Sequence, residues 1–179
     1  MMQRICRQSL SKPLDGRRAV RSGLWLAAVT GLGGLLPSPD VSHAACSPAG
    51  PYNNAANTVV CAPGAGETLN TLGGSDNVTL SGGTVVTLDM GTGNDTFTLN
   101  GGIVTTINQD AASPATQGTD TAIISLGSIT GTLSQGGSAD SYTHTGGGLV
   151  ATVDQGSGDD TALIGLGATI GSFLQGSGS

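Results

Sequence analysis

The chain has 179 residues, is 37% hydrophobic but only 3% aromatic, and contains 31 glycines. Its formal charge is −6, yet every Lys and Arg lies at or before Arg21, so residues 45–179 carry ten acids and no permanently charged base. Such a surface gains nothing from counterion release on phosphates and is repelled by anionic lipid, which excludes nucleic acid and acidic membrane surfaces as partners.

Arg4, Arg7, Lys12, Arg17, Arg18 and Arg21 precede an apolar run, 24–36, interrupted by Thr30 and a few glycines. The run is shorter than the roughly 20 residues that span a bilayer. Ser42-His43-Ala44 then places small residues at −3 and −1 of a cut between Ala44 and Ala45. Residues 1–44 therefore read as a signal peptide with an extended n-region. The mature chain contains no integral membrane segment. Export through the inner membrane is expected, to the periplasm, the cell surface or the medium.

Residues 45–72 read as an N-terminal cap. Cys6 leaves with the signal, and the mature chain keeps an even pair, Cys46 and Cys61, in an oxidising compartment. That pairing predicts a disulfide.

Residues 73–179 are periodic. Asp76, Asp95, Asp120, Asp140 and Asp160 recur at intervals of 19, 25, 20 and 20. Four residues after each stand Leu80, Leu99, Ile124, His144 and Ile164; seven after stand Gly83, Gly102, Gly127, Gly147 and Gly167. Asn77–Ser81 and Thr96–Asn100 alternate polar with apolar residues, the period of a half-buried strand. Gly-Gly and a second β-branched segment follow each, and helix formers are scarce. One such coil has too few large apolar groups to form a core alone. Stacking coil on coil, about 4.8 Å apart, turns matched positions into columns. The expected fold is all-β, a right-handed parallel β-helix (solenoid) of about five coils of ~20 residues, the last incomplete. Gln109, Gln135, Gln155 and Gln175, with Met90 in the first coil, predict a side-chain ladder. Residues 110–117 exceed the period and hold Ala-Ala-Ser-Pro, which predicts an extruded corner loop. His144 reads as a partly buried stacked side chain rather than a metal ligand.

Stacked aspartates would repel by roughly 0.8 kcal/mol per neighbouring pair even in water. Calcium would relieve this, making Asp76, Asp95, Asp120, Asp140 and Asp160 the candidate ligands. Gly91-Thr92-Gly93-Asn94-Asp95-Thr96-Phe97 and Gly156-Ser157-Gly158-Asp159-Asp160-Thr161-Ala162 resemble the repeats-in-toxin calcium nonapeptide without its first glycine. They occur once per coil rather than in tandem. This makes a calcium-binding secreted β-roll the alternative function. No other cofactor is implied. A carbohydrate-active enzyme would need a carboxylate pair such as Asp159 and Asp160, but neighbours in a strand face opposite sides. No nucleophile triad or phosphate-binding loop is present, so the chain reads as a non-enzyme.

The extended basic n-region 1–23, the segment from Cys46-Ser-Pro-Ala-Gly-Pro through Val59-Val60-Cys61, and the coils from Gly73 onward resemble the N-terminal part of a bacterial autotransporter passenger. The likeness covers nearly the whole chain and rests on composition and period. It implies a surface-exposed, adhesin-like stalk whose loops, such as 110–117, touch a host or neighbouring cell. Family members also carry a C-terminal translocator barrel, which these residues do not include; the expectation is a passenger that is either a truncated gene product or a fragment. An open last coil near Ile170 and Phe173 predicts end-to-end self-association.

Overall fold

The computed structural model describes residues 46–178 apart from Pro48, Pro63, Ala65 and 111–116. Residues 1–44, read as a signal peptide, and the cut expected between Ala44 and Ala45 lie outside the described residues, as does most of the segment 110–117 expected to be a corner loop. The described chain is all strand, in the order β1 (Thr58–Cys61), β2 (Glu67–Asn70), β3 (Asn77–Asp89), β4 (Thr96–Asn108), β5 (Thr121–Ser134), β6 (Ser141–His144), β7 (Gly148–Asp154), β8 (Thr161–Ile164) and β9 (Ala168–Leu174). Among the described residues no helix is long and apolar enough to cross a membrane.

Every strand pairing is parallel, and each joins one coil to the next. One stack runs β1-β3-β4-β5-β6-β8. The second contains β2, the C-terminal halves of β3, β4 and β5, then β7 and β9. The long strands serve both stacks because they bend at a glycine, the second of Gly-Gly in β3 and β4 and Gly127 after Leu126 in β5. Gly83, Gly102 and Gly127 have φ of 77°, 88° and 106°, a region that side chains resist. This is the β-solenoid expected from the repeat.

The matched letters become columns. Cys61, Leu80, Leu99, Ile124, His144 and Ile164 are successive register partners. A second inward column reads Val59, Val78, Phe97, Ala122, Tyr142, Ala162. Large and small residues alternate down its second half, because two rings cannot fill one site at adjacent rungs about 4.8 Å apart. Tyr142 instead packs against Phe173 of the facing stack, with ring centroids 5.9 Å apart.

The structure departs from the sequence reading at the N-terminal end. The stacked register starts at Thr58, not at Gly73: β1 and β2 form a full rung inside the segment read as a cap. In the fifth rung the positive φ falls on Gly148 rather than Gly147. There Gly146 lies so close to the Ser125 carbonyl that no side chain fits. Cys46 and Cys61 form the expected disulfide.

Candidate functional site

Each coil closes at a second corner, between the end of one stack and the start of the next rung. A glutamine opens this corner from the third rung onward, and an aspartate closes it. Gln135 donates from Nε2 to Gln109 Oε1, Gln155 to Gln135 and Gln175 to Gln155, at 3.2, 3.2 and 3.3 Å. The Nε2 groups of Gln109, Gln135 and Gln155 donate across the corner to the carbonyls of Thr121, Ser141 and Thr161. The glutamine ladder is present, with Met90 buried ahead of it.

The aspartates form a second ladder beside it, built through the backbone. Asp76 N–H donates to Asp95 Oδ1, Asp95 N–H to Asp120 Oδ1 and Asp120 N–H to Asp140 Oδ1, all at 2.8 Å, and Asp140 N–H to Asp160 Oδ1 at 2.9 Å. Carbonyls follow the same route: Thr96, Thr121, Ser141 and Thr161 donate to the carbonyls of Asp76, Asp95, Asp120 and Asp140. Asn57 heads the column, its backbone N–H and Nδ2 both donating to Asp76 Oδ1 at 2.7 and 2.9 Å. Each aspartate thus clamps its own rung to the one above.

The clamp consumes one carboxylate oxygen and strands the other. Asp76, Asp95, Asp120 and Asp140 are at most 2% exposed, and their Oδ2 atoms are buried without a hydrogen-bond partner. Burial dominates the electrostatics. It drives the Asp95 carboxyl up to about 7, partly opposed by the Asp76 N–H and assisted by the charges of Asp76 and Asp110. Asp120 rises to about 8 and Asp140 to about 7 for the same first reason, with Asp110 and the neighbouring column members adding repulsion. Asp110, which accepts from the Gly118 N–H, is also raised by burial.

The structure brings all five sequence-chosen aspartates into one column, as a chain of clamps rather than a cage. Among the described residues no group of three or more His, Cys, Asp or Glu is placed to hold a metal ion. Asp159 is exposed while Asp160 is half-buried in the column. Both border a cleft of about 380 Å³ with Gln175, Gly176 and Gly178, at the last described rung. His144 is fully buried, with Nδ1 3.2 Å from the Tyr142 hydroxyl and Nε2 unpartnered. Burial lowers its pKa.

Sequence reasoning placed the aspartates in one stacked column but missed that their side chains turn inward. It also missed Asn57, although Asn57 stands 19 residues before Asp76, the interval that separates Asp76 from Asp95. No protein-family model, curated protein or solved structure matches the chain.

Proposed function

We propose that the chain is an exported, cell-surface structural and binding module, an acidic solenoid stalk of the autotransporter-passenger kind. Its outer face and the segment 110–117 contact molecules of a host or neighbouring cell. The supporting observation is the parallel pairing of every successive rung between β1 and β9, which gives the described residues a repetitive outer surface instead of a single enclosed site. Thr68, Thr87 and Thr106 are register partners on that surface, and Thr132, Thr152 and Ser172 continue the pattern on later rungs. Neutral hydroxyl rows spaced at about 4.8 Å suit contact with an extended polar polymer.

The reading is tested by fusing the full chain ahead of a translocator barrel, with an epitope placed between Asp110 and Gln117. Antibody labelling of intact bacteria and a several-fold gain in adherence over cells displaying the barrel alone are expected. A product that stays in the periplasm, or that is displayed without any gain in adherence, refutes it.

A further inference from the structure

Four carboxylates lie buried in a single file, and the described chain offers them no lysine or arginine. Every such residue lies at or before Arg21, outside the described residues. The Oδ1 atoms are satisfied by backbone N–H groups, and one such bond does not offset the loss of water around a full charge. Each Oδ2 has neither donor nor solvent. Ionising adjacent members together would set like charges about 4.8 Å apart in a poorly solvated interior. The stranded oxygen is where a proton removes both penalties, and the clamp survives, because Oδ1 of a neutral acid still accepts the N–H.

We propose that the aspartate column is a proton-binding spine: Asp95, Asp120 and Asp140 hold protons in the assembled solenoid and release them when it opens, so that folding takes up protons. The inference is independent of the surface role proposed above. The groups facing the column are Asp76 from the corner above, Asp110 from the β4–β5 connection and Asp160 from the corner below, all acids.

The three folded pKa values, about 7, 8 and 7, lie above the ordinary 3.8. Their contribution to stability is therefore complete below pH 3.8 and is lost as pH rises through 7 to 8. Each retained proton lowers the folding equilibrium constant by about tenfold per pH unit within that window. His144, with a lowered pKa, acts in the opposite sense and loses its contribution as pH falls below its ordinary 6.5. Comparing variants at one aspartate cancels it.

The experiment is urea unfolding of the full chain between pH 4 and 9, for wild type and Asp120→Asn. The amide copies the neutral acid and keeps an Oδ1 acceptor. The variant is expected to fold and to lose about tenfold per pH unit of the wild-type dependence between pH 4 and 7. Should the variant not fold, infrared spectra of the wild type at pH 6 must show the carbonyl stretch of protonated carboxylic acid, lost on unfolding. A variant dependence equal to wild type, or no such band, overturns the proposal. So does millimolar calcium that restores wild-type stability at pH 8 but leaves Asp120→Asn unchanged, which would make the column a cation site.

Discussion

Leu72 has a backbone conformation unsuited to its side chain. Its φ is 74°, in the same region as Gly91, Gly136 and Gly156 at 92°, 98° and 77°. The Leu72 carbonyl faces Gly91, and the Gly136 carbonyl faces Gly156, so all four stand at one place in the corner. A left-handed non-glycine residue costs roughly 1–2 kcal/mol, and the side chain gains little in return, being 49% exposed. Glycine would bring back about 0.5–1 kcal/mol of chain entropy cost. Leu72→Gly is therefore expected to stabilise the fold by about 0.5 kcal/mol, read as a higher urea midpoint; a lower midpoint contradicts the strain argument. That site was not legible in the sequence, because the letter that marks the other corners is missing there. His144 was legible as an inward residue from its column, whereas its Tyr142 partner was not. Alternation puts both residues on the inward face of β6, but the 3.2 Å contact between the hydroxyl and the ring depends on rotamers that the packed interior selects.

The corner is the element that sets rung spacing. A Cβ on Gly156 would overlap the Gly136 carbonyl oxygen, and one on Gly176 would overlap that of Gly156. Both contacts are with backbone, which cannot step aside without opening the Gln155–Gln135 bond and the Asp140–Asp160 clamp beside it. Gly156→Ala is accordingly expected to cost about 3 kcal/mol. Amide exchange should rise first in β6 to β9, and uniform protection across the solenoid would show that the corner does not hold the rungs together. Gly-x-Gly was visible as a turn signal in the sequence. Its reason, carbonyl-to-carbon stacking between corners, depends on residues about one coil away and has no local signature.

At the largest scale, part of the N-terminal edge of the described residues is covered and covalently secured. Ser47 and Val60 exchange backbone hydrogen bonds of 2.9 and 3.0 Å in an antiparallel bridge, which covers part of the β1 edge. The Cys46–Cys61 disulfide, spanning 15 residues, fixes that cover. Covering a strand edge limits its pairing with other chains. Cys46→Ser is expected to lower stability by about 3 kcal/mol, the chain-entropy value for a loop of this length. Its slope of stability against pH should match wild type, since the column is untouched; a changed slope would mean that the cover also holds the aspartates. At the other end, β8 is exposed along its whole length.

Strand alternation, the near-20-residue period, the aliphatic column through Leu80 and Leu99, the glutamine ladder and the absence of basic residues after Arg21 were all determined by the sequence itself. They are one-dimensional facts, and parallel stacking copies a one-dimensional period directly into space. Only the tertiary structure decided that a rung begins at Thr58 and that the aspartates turn inward. It alone showed that one oxygen of each buried carboxylate is clamped while the other is left bare. These depend on which backbone N–H lies a full coil away and on how much water the closed corner expels, and neither quantity is written in the spacing of letters.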